Sequence, residues 1–132
     1  MADDKLQYAR EYLGALKLFN RGEYFESHEE LEQLWVRLPK SPDKTFYQAV
    51  IHIAAAFVHR TRGRPKPALA QYRRACDKLQ SLGQNEYEGL DIPKTLEYLD
   101  PYFPPIEGES SIDDTLPRPS LTIRDWIDDI SD

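Results

Sequence analysis

Pro42-Asp43-Lys44-Thr45-Phe46-Tyr47-Gln48-Ala49-Val50-Ile51-His52-Ile53-Ala54-Ala55-Ala56-Phe57-Val58-His59-Arg60-Thr61 is the stretch on which the rest of the chain turns. Ser41 before it is a capping residue, and proline suits the first helical position because its missing N–H would find no partner there. From Ala49 to Val58 the residues are apolar nearly all round, which marks a helix enclosed by other helices. Gly63 stops it. A helix of this kind needs neighbours, and the flanking sequence supplies them.

Upstream, apolar residues at Leu6, Ala9, Leu13, Leu16 and Phe19 predict a helix over about residues 4 to 20, capped by Asp3 or Asp4. Gly22 can close it in the left-handed conformation. Tyr24, Leu31, Leu34, Trp35 and Leu38 predict a second helix over about 23 to 38. Downstream, Pro65 and Pro67 open a helix over about 65 to 82, with Leu69, Tyr72, Ala75, Cys76 and Leu79 inward. Asp91 caps a short fifth helix over about 92 to 100, before Pro101, Pro104 and Pro105. Arg21-Gly22 recurs as Arg62-Gly63, 41 residues later, and Leu31, Trp35 and Leu38 recur as Tyr72, Cys76 and Leu79. The expected fold is therefore all-α: a compact bundle of about five helices built from two helical hairpins. The pairing is tetratricopeptide-like, but two units do not make a solenoid.

The 132 residues fit one domain, expected to occupy 1–105, followed by an irregular tail over 106–132. Residues 1–106 carry 15 basic and 15 acidic groups. The tail holds eight acidic groups against Arg118 and Arg124, which accounts for the whole net charge of −6. A neutral body argues against general affinity for DNA or for an anionic membrane. The run from Glu107 to Ser120 reads as a linker. The end beyond it, Leu121 to Ile130, is rich in apolar groups, with Trp126, Ile127 and Ile130 as the docking residues, and is expected to dock either on the protein's own body or on another protein. The single cysteine, Cys76, excludes an intramolecular disulfide. The first residues lack the order of a secretory signal, and no apolar run is long enough to span a bilayer, so a cytoplasmic location is expected.

The chemistry concentrates on one seam. His28, Glu32 and Trp35 share a face of the second helix, because residues three and four apart are neighbours. Gln48, His52 and His59 lie within about 40° of one another on the third. If the two helices pack side by side, His28, Glu32, Gln48, His52 and His59 form a buried polar network that fixes helix register. On that reading His28→Ala costs on the order of 1–3 kcal/mol through orphaned partners. A divalent metal held by His28, Glu32 and His59 is a second reading. Acid–base catalysis is a third, with His28 or His59 as base and Glu29 or Glu32 orienting it. The zinc-protease pattern fails, because Glu32 stands where the second histidine belongs. No phosphate-binding glycine loop or nucleophile elbow is present. Arg60, Arg62 and Arg64, with Lys66, make a basic turn that can hold phosphate or RNA, or receive the acidic tail. Tyr24, Phe25, Trp35, Phe46 and Tyr47 are expected to serve core packing first and an aromatic pocket second.

The runs Phe19-Asn20-Arg21-Gly22-Glu23-Tyr24-Phe25-Glu26-Ser27-His28-Glu29-Glu30-Leu31-Glu32-Gln33-Leu34-Trp35 and Asp43 to Ala56, with His59, Arg62-Gly63, Ala68 and Gly89-Leu90-Asp91, resemble the DUF309 family of small helical proteins. The resemblance spans roughly residues 5–100. It implies an all-α bundle, and it implies that His28, Glu29, Glu32, Gln48 and His59 occupy the family's recurrent polar positions. His52 stands where an aliphatic residue is common in the family. No activity comes with the resemblance. The function expected is a non-enzymatic protein-interaction module with no resident cofactor, its partner being another protein, its own tail or a second copy. The alternatives are a hydrolase centred on His28, Glu32 and His59, and RNA or phosphate binding at the basic turn.

Overall fold

The computed structural model describes residues 8–105 and 115–124. Five helices form an all-α bundle: α1 (Arg10–Asn20), α2 (Tyr24–Val36), α3 (Pro42–Thr61), α4 (Pro65–Ser81) and α5 (Ile92–Leu99). α1 packs on α2, α2 on α3 and α3 on α4, so α3 is the central rod. Its Phe46, Ala49, Ile53, Ala54, Ala56 and Phe57 are almost wholly enclosed, as its nearly unbroken apolar surface requires. The Ser41 hydroxyl accepts from the Lys44 amide at 3.2 Å, and Pro42 opens the first turn.

The repeated Arg-Gly pairs have one structural cause. At the end of α1 the Gly22 amide donates to Phe19 O and the Glu23 amide to Leu18 O. At the end of α3 the Gly63 amide donates to Arg60 O and the Arg64 amide to His59 O. Both are the two-bond Schellman ending, which needs a left-handed residue, and Gly22 and Gly63 have φ of 85° and 71°. The same stop therefore reverses the chain in both hairpins.

One expectation near the start of the chain is corrected. The first helix begins at Arg10, not near residue 4; Ala9 is extended and gives no side-chain cap. Asp3 and Asp4 lie outside the described residues. Tyr8 leaves the helical path because its ring is buried against Tyr12 and the tip of a small hairpin. That hairpin, β1 (Glu86–Tyr87) and β2 (Leu90–Asp91), was not anticipated. Its register is Glu86 opposite Asp91 and Tyr87 opposite Leu90. Glu88 and Gly89 form the two-residue loop, both with positive φ (47° and 78°). Such a loop matches the twist of paired strands, but it is usually announced by Asn-Gly or Asp-Gly. Asp91 then caps α5, accepting from the Lys94 amide at 3.0 Å.

Part of the apolar end that was expected to dock lies among the described residues. Residues 115–124 lie along the body, and Leu121 and Ile123 belong to the same core as the helices. Asn20 holds this segment from both sides: its Nδ2 donates to Leu121 O at 2.9 Å, and the Leu121 amide donates to its Oδ1 at 2.7 Å. The Tyr102 hydroxyl donates to Pro117 O at 2.7 Å, and the Arg124 amide to Gly89 O at 2.6 Å. An extended segment has no internal partners for its peptide groups, so these bonds make its burial tolerable. Trp126, Ile127 and Ile130 lie outside the described residues. No helix among the described residues is long and apolar enough to cross a membrane.

Candidate functional site

The polar seam is where periodicity places it. His28, Glu32 and Trp35 of α2, Gln48, Ile51, His52, Ala55 and His59 of α3, and Gln71 of α4 line one cleft of about 330 Å³. The small Ala55 leaves room where a larger side chain would fill the gap. A second hollow of about 430 Å³ continues it along α2, lined by Glu29, Glu32, Gln33, Trp35 and Val36. Glu32 and Trp35 border both hollows.

The cleft is not the enclosed hydrogen-bond network that the spacing suggested. Glu32 is 53% exposed and His28 24%. Contact between them is loose, with His28 Nε2 at 3.6 Å from Glu32 Oε2. α2 and α3 leave a channel between their polar edges, so the five residues line a wall. One firm bond crosses it: His52 Nδ1 donates to Gln71 Oε1 at 2.7 Å. Gln71 was missed in the sequence, although it stands with Ala68 and Ala75 at helical spacing on the buried side of α4. A polar residue on that stripe was the available signal.

Among the described residues, three nitrogens of these side chains have no hydrogen-bond partner and almost no solvent contact: His28 Nδ1, Trp35 Nε1 and His59 Nδ1. Buried polar atoms in native proteins are paired with few exceptions, and each exception asks for a cause. Burial lowers the His52 pKa, against the Gln71 bond that raises it, with Lys78 and Arg74 adding to the lowering. Burial also lowers that of His59, helped by Arg64 and Arg62. Both α3 imidazoles are therefore biased toward the neutral form, and basic side chains surround this end of the cleft.

As a metal centre the cluster does not fit. Among the described residues no three His, Cys, Asp or Glu side chains are placed to share an ion. His28, Glu32 and His59 share a cavity without forming a ligand cage. The basic turn divides as well. Arg60 donates from Nε to Tyr102 O at 3.1 Å and lies over the Tyr102 ring, while Arg62 and Arg64 are exposed. The five aromatics do not make one pocket. Tyr24 packs with Phe19 and Phe57, Phe46 and Tyr47 with Tyr12, and Phe25 is 46% exposed against the His28 ring. Trp35 lies apart under the Lys44 ammonium.

This helical scaffold with its imidazole-rich cleft agrees with what comparison of the sequence finds. Residues 12–70 match the family model described as a domain of unknown function, DUF309. The match runs from α1 into the first turns of α4 and takes in every lining residue of the cleft except Gln71. No curated protein and no solved structure matches the chain.

Proposed function

We propose that the protein is a non-enzymatic binding module, and that the groove between α2, α3 and α4 is the surface that takes a segment of another protein. The observation that carries this reading is the open cleft that His28, Glu32, Gln48, His52 and His59 line together, with Glu32 half exposed at its edge. The adjoining hollow is edged by Val36, which is 65% exposed. An apolar anchor beside hydrogen-bonding groups is the usual composition of a recognition surface. Among the described residues that line the two hollows, the polar side chains are imidazoles, carboxylates, amides and an indole.

A photo-crosslinking amino acid at position 36 tests this in the native host. A discrete protein adduct is expected there and not at exposed Gln80 on α4. Equal labelling at both positions, or at neither, removes the groove from consideration.

The loose His28–Glu32 contact favours a second reading, acid–base catalysis with Glu32 orienting the His28 imidazole. Turnover of small esters or phosphoesters that vanishes in His28→Ala would move the protein to the enzymes.

A further inference from the structure

We propose that the protein covering this groove is a second copy of the same chain, related by a two-fold axis that runs along the cleft and lays α2 of each copy over α4 of the other. This rests on the reading of the groove as a protein-binding surface and names the protein.

The charges of the body are sorted by helix. Residues 23–36 carry Glu23, Glu26, Glu29, Glu30 and Glu32 and no lysine or arginine. Residues 62–78 carry Arg62, Arg64, Lys66, Arg73, Arg74 and Lys78 against the single acid Asp77. The neutral sum of the body therefore hides an acidic helix and a basic one. The cleft lies between them, since its lining comes from α2 on one side and from Gln71 of α4 on the other, over α3. Arg74 is one turn from Gln71 and Lys78 is two, so both stand on the cleft edge of α4. Glu29 and Glu32 line the hollow on the edge of α2. Among the described residues, no ion pair joins any of these six cations to a carboxylate. Elsewhere Arg37 pairs with Glu11 at 2.7 Å and Arg124 with Glu86 at 2.5 Å.

A face that carries both signs side by side is its own complement. Rotation by half a turn about an axis along the cleft brings each glutamate row over the arginine and lysine row of the other copy. An axis across the cleft would set α2 on α2 and α4 on α4, like against like. The contact along the cleft closes at two copies, and every interaction in it is made twice. Apolar surface adds to it. Phe25 and Val36, 46% and 65% exposed, both belong to α2. They lie one turn from Glu29 and Glu32, on the same edge. The exposed face of α4 offers small Pro67 and Ala70 instead, which leave room for such side chains. A nucleic acid would meet the basic row alone and leave Phe25, Val36 and the glutamates without use. A second copy engages both rows.

Sedimentation of the full chain from micromolar to millimolar concentration should show a monomer–dimer equilibrium with no larger species. Molar salt, which cuts the screening length to about 3 Å, should weaken the dimer at least about tenfold. Arg74→Glu with Lys78→Glu makes both edges negative, and Glu29→Lys with Glu32→Lys makes both positive. Each double variant alone should lose at least about tenfold in dimer affinity. Their equimolar mixture should regain it, because both contacts of the mixed pair again oppose in sign, and that recovery also shows that both variants are folded. A wild type that stays monomeric, species larger than a dimer, a dimer indifferent to the reversals, or a mixture that stays monomeric overturns the two-fold pair. The crosslink at position 36 should have twice the mass of the chain. A discrete adduct of another mass overturns the second copy and leaves the groove a protein-binding surface, so the two readings fail separately.

Discussion

The two flanks of α3 treat polar groups in opposite ways. On the flank of α1, the hairpin and residues 115–124, polar atoms are used to close the structure. The Tyr12 hydroxyl donates to Glu88 O at 2.9 Å, Tyr47 donates to Glu88 Oε1 at 3.1 Å, Tyr87 donates to Asp43 Oδ1 at 2.5 Å, and Asn20 grips Leu121 twice. On the flank of α2 and α4, one bond links His52 with Gln71, and three nitrogens are left without partners. The closed flank explains how a short chain holds together. The open flank has a polarity that stability does not require, and unpaired polarity of that kind is what function tends to retain.

The comparison breaks if the closed flank proves cheap to disturb. Gly89→Ala should give the largest effect. The new Cβ would stand 2.7 Å from the Tyr8 hydroxyl and 2.9 Å from Ile123 Cβ, at a residue with φ of 78°. A loss of about 2–4 kcal/mol in chemical denaturation is expected, from overpacking added to backbone strain. Asn20→Ala should follow with about 1–2 kcal/mol, because both peptide groups of Leu121 lose their partner. If either variant unfolds at the wild-type midpoint, the terminal segment is not part of the cooperative body.

Acid should find the open flank. The His52 and His59 pKa values are lowered on folding from an ordinary 6.5, so the unfolded chain binds protons more readily there. Their contribution to stability is complete above about pH 6.5 and is lost as the pH falls below it. Denaturation at pH 7.5 and 5.5 should differ in that direction, and His52→Gln should reduce the difference. A pH-independent midpoint for the wild type would contradict the shifts.

Glu88 runs the other way. Burial raises its pKa, against the Tyr47 bond that lowers it, with Asp43 adding to the rise. Its ionised form therefore opposes folding at neutral pH, and its contribution is most favourable below an ordinary pKa of 4.5. Glu88→Gln should stabilise the protein slightly at pH 7 and lose that advantage near pH 4. The smallest effect is expected at His28. Among the described residues its ion-pair partner is exposed Glu32, so His28→Ala should cost less than about 1 kcal/mol rather than the loss an enclosed network implies. A larger loss would mean that the open flank is structural after all.

What was legible in the sequence follows from how local each cause is. α3 was read to the residue because Ser41-Pro42 and Gly63 act within one turn of its ends. The seam of His28, Gln48, His52 and His59 was legible because helical spacing alone puts these residues on facing edges. Its partial exposure was not, because that depends on how far apart α2 and α3 settle. The hairpin was missed because Glu88 is an unusual residue for a left-handed position, held there by bonds from Tyr12 and Tyr47 that only tertiary structure supplies. Leu121 and Ile123 were legible as part of an apolar end that docks, but not where it docks, because their seat is set by Asn20, about a hundred residues away.

The bond from the Arg124 amide to Gly89 O joins segments that no helix connects, at a glycine that also sits under Tyr8. In hydrogen exchange this one amide becomes a sentinel. Its protection reports whether the approach to α1, the hairpin tip and the end of the described chain open together or one at a time.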